Sequence, residues 1–256
     1  MRIELATQPG DPHHPNEDFA SVALPASGHG GALVLLDGVT PPPSGDTGCA
    51  HGVPWFTARL GGALLELAVS RPGHALADCL AEAISRTADA HRATCDLAHR
   101  RTPQATVVVA RWDDERVEHL VLSDSVLLVE APDGTVRAVL DDRIDRLRAR
   151  GPVTDAQRNA PGGFFTAAAS PSVAELAVTG ATPRASVRSL AALTDGAGRW
   201  VEVFGEGDWP ACFGLLSKEG PQALIDAVRC AESDPVRRGL VRGKGHDDAA
   251  VVFAEL

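Results

Sequence analysis

Residues 105–140 read ATVVVARWDDERVEHLVLSDSVLLVEAPDGTVRAVL. Four short runs rich in β-branched residues stand in this stretch: Ala105–Trp112, Arg116–Leu122, Val126–Ala131 and Thr135–Leu140. Asp113-Asp114 and Pro132-Asp133-Gly134 separate them, and such pairs are turn formers, so the segment predicts an antiparallel meander. Upstream, Arg2–Thr7 alternates, Phe19–Leu24 is mixed and Gly31–Leu36 is continuously apolar, the mark of a buried strand. Two helical stretches lie between: Pro54–Val69, opened by a proline in its first turn, and His74 to about Arg101, with Leu76, Leu80, Ile84 and Thr87 on one face. Downstream, residues 151–185 read as loop with a helical piece near Pro171–Ala177. There follow a buried strand Val187–Leu193, helices Pro210–Lys218 and Pro221–Glu232, and a last strand Ala249–Ala254. Strands, two helices, strands, helices and a strand predict one α+β domain over 1–256, with helices covering antiparallel sheets.

The composition excludes several classes. A formal net charge of −10 opposes broad binding to a phosphate backbone, so no nucleic-acid partner is expected. It leaves phosphate substrates open, because bound cations reverse the local field. No run reaches the roughly 18 apolar residues of a membrane span, so no membrane partner is expected. The five cysteines, Cys49, Cys79, Cys95, Cys212 and Cys230, show no CxxC spacing and are odd in number. Reduced thiols in a cytoplasmic protein fit this better than a disulfide framework or a zinc ribbon.

Three places share a grammar: LVLLDG at 33–38, LAALTDG at 190–196 and HDDAAVVF at 246–253. Each sets an Asp where a core strand meets solvent, the backbone rigid and the carboxylate free to reach water or a metal. Glycine after Asp37 or Asp195 frees the local backbone, so its carbonyl is also able to face an ion. Glu17-Asp18 heads the strand beginning near Phe19. Hard divalent cations such as Mg²⁺ and Mn²⁺ prefer such oxygen ligands. Taken singly, each Asp reads equally as a turn former.

The order of the pieces resembles the metal-dependent serine/threonine phosphatases of type 2C, and their compact actinobacterial members in particular. The matching pieces are NEDF at 16–19, LVLLDG at 33–38, QATVVVA at 104–110, LSDSVLLV at 122–129, LTDG at 193–196 and HDDAAVV at 246–252, with DTGC at 46–49. The resemblance implies a central antiparallel β-sandwich flanked by helices on both sides, with two Mg²⁺ or Mn²⁺ ions at one end. By position, Asp37 would bridge the ions and the Gly38 carbonyl would bind one. Asp195 and Asp247 would hold the other, with Glu17 acting through bound water and Asp18 in support. Asp124 would help form a third, weaker metal site. Metal-bound hydroxide would be the nucleophile, without a phosphoenzyme. The chain departs from the family pattern at the substrate grip. Where many members carry an arginine, it has His13, assigned here to the substrate phosphate. Val39-Thr40 and three prolines follow Asp37-Gly38, Ser123 replaces a glycine and Ala250 replaces a threonine.

Three functions follow as expectations: hydrolysis of phosphoserine or phosphothreonine in proteins, hydrolysis of a small phosphorylated metabolite, or a phosphatase-fold regulatory module with weak catalysis or none. Other clusters read as structural. His91, Cys95 and His99 recur every four residues and are assigned to a partly buried helix face. Cys49 and His51 are assigned to loop packing, and the basic run Arg237–Lys244 to a solvated loop, with phosphate contact as the alternative.

Overall fold

The computed structural model describes residues 1–42, 45–241 and 244–256. Part of the proline turn after Gly38 (Pro43, with Ser44) and part of the basic run (Arg242 and Gly243) therefore lie outside the described residues. Among the described residues, ten strands form two antiparallel sheets. The strands are β1 (Arg2–Gln8), β2 (Phe19–Ala23), β3 (Gly31–Leu36), β4 (Val107–Trp112), β5 (Arg116–Leu122), β6 (Val126–Glu130), β7 (Val136–Val139), β8 (Val178–Pro183), β9 (Ser189–Leu193) and β10 (Ala249–Glu255). One sheet has the order β1-β10-β9-β6-β7 and the other β2-β3-β4-β5-β8.

Helices cover both outer faces. On the β2–β8 sheet lie α1 (Val53–Ser70) and α2 (Leu76–His91). On the other lie α4 (Asp195–Glu202), α5 (Trp209–Glu219) and α6 (Pro221–Ser233), while α3 (Arg143–Arg148) and α7 (Pro235–Arg238) are short. The continuous apolar run of β3 is explained by these layers. Ala32, Val34 and Leu36 meet the helices, whereas Leu33 and Leu35 enter the core between the sheets. A strand buried on both faces has no polar positions to alternate with. Helix α1 lays Phe56, Leu60, Leu64 and Leu67 on the sheet. Its Gly61 lets the Phe19 ring approach where a Cβ would collide.

The structure corrects the sequence reading in four places. The meander is two hairpins in different sheets: β4-β5 belongs to one and β6-β7 to the other. The chain crosses between sheets at Ser123, which adopts a left-handed φ of 70° that few non-glycine residues take. Its amide donates to the buried Asp141 carboxylate (3.0 Å), which steadies the turn. Helix α2 stops at His91, whose Nδ1 bonds the Thr87 carbonyl at 2.6 Å, so Cys95 and His99 lie in turns rather than on a helix face. Strand β8 emerges from the segment read as loop; its Gly180 and Pro183 weaken the strand signal and suit an edge position. Helix α4 begins at Asp195 itself, where only a strand end was expected.

His119 on β5 is buried and sits against Gly180 of β8, where a Cβ would come within 2.7 Å of its ring. Burial, assisted by Arg137, lowers its pKa to about 4. The folded value lies below the ordinary histidine value, so the unfolded chain binds the proton more readily. His119 therefore favours the fold fully above pH ~6.5, and that contribution is lost as pH falls toward 4. Thermal melts from pH 7 to pH 4.5 should show wild type losing more stability than His119→Gln; parallel curves would show the ring to be uninvolved.

Candidate metal centre

All the singled-out carboxylates gather at one end of the sandwich. Register explains why: Phe19 pairs with Leu36, Leu35 with Val108, and Leu193 with both Val251 and Val126. The start of β2, the end of β3, the end of β9, the start of β10 and the β5–β6 crossing thus share one edge.

Asp37 follows β3 with its backbone fixed on both sides. Its amide donates to Thr106 Oγ1 (3.2 Å) and its carbonyl accepts from the Thr106 amide (2.9 Å). Thr106 Oγ1 in turn meets Ser125 Oγ at 2.6 Å, tying the two sheets beneath the site. Gly38 is required by space, since a Cβ would lie 2.5 Å from the Glu17 carbonyl oxygen and run into Val53. The Asp37 and Asp195 carboxyls stand close enough for each to shift the other's ionisation and for a proton on one to be shared with the other. Asp195 opens α4, and a Cβ on Gly196 would overlap the Asp248 carbonyl, so strand β10 and this helix approach as only glycine permits. Thr194 Oγ1 donates to Asp18 Oδ2 (3.0 Å) and accepts from the Ala250 amide (2.9 Å).

The adjacent Asp247 and Asp248 do different work. Asp248 accepts from the amides of Gly10 (2.8 Å) and Glu17 (2.7 Å), pinning the loop that carries Glu17. Asp247 accepts from Arg199 (2.8 Å) and Lys244 (2.9 Å). Arg199 is itself anchored by Glu232 (2.6 Å), a fully buried carboxylate that also takes Arg229 (2.7 Å) and His246 Nδ1 (3.0 Å). Asp124 sits near Arg148 (3.4 Å) and accepts from Ser123 Oγ (3.1 Å).

This crowding is electrostatically costly. Burial first, and then Asp195 and Asp18, push the Asp37 carboxyl well above its ordinary range. Burial does the same for Asp18, with Asp195, Asp248 and Asp247 adding to it. Asp195 is raised to about 6 by burial, Asp124 and Asp247, while the Asp37 hydrogen bond and Arg199 pull it back. Glu17 is raised by burial and relieved by the Thr40 hydroxyl and Lys244. At the far side, Glu202 is lifted to about 7 by burial, Asp145 and Asp124. Asp18 Oδ1 is buried with no hydrogen-bond partner. A buried orphan oxygen among carboxylates held above their ordinary pKa, in an oxygen-only donor set, fits hard divalent cations, whose charge would lower those pKa values together.

Beside the carboxylates a cleft of about 870 Å³ is lined by Glu17, Asp248, Thr40, His14, Arg238 and Lys244, among others. His13, assigned to substrate phosphate, is exposed and does not line it, whereas His14 does. From the basic run, Arg238 and Lys244 reach the cleft, while Arg237 pairs with Glu206. Arg199, Glu232 and the pinning role of Asp248 escaped the sequence reading. Arg199 had a usable signal, standing one helical turn after Asp195, but only once α4 was recognised.

A two-sheet antiparallel sandwich with helices on both faces is the fold of the type 2C serine/threonine phosphatases. No protein-family model matches the chain, and no curated protein matches it. Among solved structures, the serine/threonine phosphatase Stp1 from Staphylococcus aureus is 14% identical, with a TM-score of 0.60 over 99% of this chain and 94% of that one. The catalytic domain of the serine threonine protein phosphatase PstP, in complex with 2 manganese ions, is 18% identical, with a TM-score of 0.62 over 99% and 97%. The Mycobacterium tuberculosis serine/threonine phosphatase PstP/Ppp is 18% identical, with a TM-score of 0.61 over 100% and 98%. At these identities the likeness is one of fold. Among the described residues, no helix is long and apolar enough to cross a membrane.

A carboxyl whose folded pKa is raised opposes folding once it must ionise. For Asp195 this penalty is absent below pH ~4 and sets in as pH rises through about 6. Chelator-treated Asp195→Asn should therefore melt a few degrees above chelator-treated wild type at pH 7, about 2–4 °C for each kcal/mol of strain removed. The gain should shrink toward pH 4. A variant no more stable than wild type at pH 7 would contradict the crowding.

Proposed function

We propose that the chain is one type 2C phosphatase-like domain over residues 1–256 that hydrolyses phosphomonoesters, phosphoserine and phosphothreonine foremost, with Mg²⁺ or Mn²⁺. The observation that carries this reading is the set of half-buried carboxylates converging from four strand ends and the β5–β6 crossing, one with a buried orphan oxygen, beside a cleft edged with cationic side chains. Asp37 and Asp195, already in contact, together with Asp18, Asp247 and the Gly38 carbonyl, would hold two cations, with Glu17 reaching them through water. Asp124 would contribute to a third. Bound there, such cations supply a water ionised near neutral pH and neutralise charge on the phosphoryl group.

The chain's own residues have separable duties. Asp248 holds Glu17 and Gly10 in place by accepting both amides. Arg199, locked by Glu232, fixes the orientation of Asp247. Arg238, Lys244 and His14 line the cleft and are placed to draw phosphate oxygens toward the carboxylates, taking the part assigned by sequence to His13. A small phosphorylated metabolite would use the same groups. Five unpaired thiols agree with action in the cytoplasm.

A second reading has its own observation. Lys244 Nζ stands 2.9 Å from Asp247 Oδ1 and 2.5 Å from Thr40 Oγ1, whose hydroxyl bonds Glu17. Burial works to discharge this ammonium, but Asp247, Glu17 and Asp37 outweigh it and keep it charged. A lysine that neutralises a ligand carboxylate supports a regulatory module with weak metal binding and little turnover.

Two experiments test these readings. With Mn²⁺, purified protein should hydrolyse an aryl phosphate and a phosphothreonine peptide, and Asp37→Asn should lower kcat/KM by roughly a hundredfold or more, the scale for losing one preorganised electrostatic partner. Full activity in that variant would sink the site assignment. Calorimetric titration of Lys244→Ala separates enzyme from module. A phosphate-gripping lysine predicts unchanged Mn²⁺ affinity with a higher KM, whereas a built-in counter-ion predicts tighter Mn²⁺ binding than wild type.

A further inference from the structure

Outside the carboxylate site, the loop before α1 and the turns after α2 bring two cysteines and a histidine to one point. Cys49 Sγ lies 3.0 Å from Cys95 Sγ. His51 Nδ1 lies 3.8 Å from the first sulfur and 3.4 Å from the second. Among the described residues, this is the group whose metal-ligating atoms all fall within 4.8 Å of one another. Among the described residues the carboxylates form no group of three as compact. The sequence had split the trio, assigning Cys95 to a helix face and Cys49-His51 to loop packing. The end of α2 at His91 allows Cys95 to turn toward the loop.

We propose that Cys49, His51 and Cys95 form a zinc site that clasps the loop entering α1 to the segment leaving α2. A tetrahedral zinc, with bonds of about 2.3 Å to sulfur and about 2.0–2.1 Å to nitrogen, spaces its ligand atoms about 3.4–3.8 Å apart. The two sulfur–nitrogen separations already match, and the two sulfurs need to part by less than ~1 Å. Backbone N–H groups also point at the sulfurs, that of Ala50 at Cys95 (3.3 Å) and that of His51 at Cys49 (3.4 Å). Such donors stabilise thiolates and orient metal ligands. Cys95 Sγ also lies 3.6 Å from the Thr94 hydroxyl.

The surroundings hold the histidine in place. Its ring packs on Trp55 with centroids 4.1 Å apart and meets the edge of His91 at 5.9 Å. The Asp96 amide donates to the Gly48 carbonyl at 2.7 Å, so the two segments are already tied beside the cluster. Cys95 also lines a shallow surface depression with Arg92, Asp96 and Ala169, which gives an ion its approach. Water would complete the coordination. The cluster shares no residue with the carboxylate site, and the inference stands whether or not the protein is a phosphatase.

Cobalt is the probe. Reduced protein titrated with Co²⁺ should develop a thiolate-to-cobalt charge-transfer band that saturates at one equivalent and is bleached by Zn²⁺. Asp37→Asn and Cys230→Ser should keep the band, and Cys49→Ser and Cys95→Ser should lose it. In the unaltered chain, where folding of variants is not at issue, Zn²⁺ should protect Cys49 and Cys95 from alkylation while the exposed Cys230 still reacts. Absence of the band together with equal alkylation in zinc and in chelator would overturn the proposal. So would a Cys49–Cys95 disulfide whose reduced form takes up no cobalt.

Discussion

Like charge gathered out of water is the constraint on which the rest of this structure depends. Asp18, Asp37 and Asp195 are brought together where burial lifts their pKa values, and neighbouring charge adds to it, from Asp195 on Asp18 and Asp37 and from Asp124 and Asp247 on Asp195. Much of the surrounding architecture is a response to that repulsion. Arg199 is driven into the interior on a helix that starts at Asp195, and a fully buried Glu232 is needed to hold it. Thr194 and Asp248 spend their hydrogen bonds on the same cluster. Such a cluster is costly to fold around, and divalent cations sharing it would relieve that cost.

The layers of the sandwich carry the geometry to that point. Each sheet has an outer face under helices and an inner face against the other sheet, so its central strands are apolar on both sides. Rigid strands then deliver their end residues with little freedom. The glycines at 38 and 196 mark where two strand ends and a helix come closer than a side chain allows. The cationic side chains that edge the cleft, Arg238 and Lys244, by contrast stand outside the strands, and Lys244 has a hydroxyl and a carboxylate for neighbours rather than packed core.

What was legible in the sequence follows the same division. Asp37, Asp195 and Asp247 could be found because long apolar runs end or begin at them, and a strand buried on both faces leaves an unmistakable pattern. Strand β8 left little trace: VTGATP pairs only as an edge and carries both Gly and Pro. The splitting of the four strands of 105–140 between sheets was invisible because hairpin signals are local, whereas the crossing at Ser123 depends on the distant Asp141. The opposite fates of Asp247 and Asp248 were likewise hidden, since they turn on amides at Gly10 and Glu17 more than 200 positions away. The sulfur cluster was missed for the reverse reason, because helical spacing in 91–99 imitated a helix that had already ended.

The place of β10 in its sheet has a consequence for how the molecule is made. It is the last strand in chain order, yet it lies inside the sheet between β1 and β9, and its leading end carries Asp247 and Asp248. During synthesis the first strand, an edge strand whose neighbour in the sheet is β10, therefore waits unpaired for a partner more than 200 residues away. Pairings of such sequence separation are slow to form, because loop-closure entropy is spent before the contacts are gained. A nascent chain lacking β10 has most of its carboxylates but neither the pin at Glu17 nor the link to Arg199. Assembly of the carboxylate cluster therefore waits on this long-range pairing and marks a late step of folding rather than an early one.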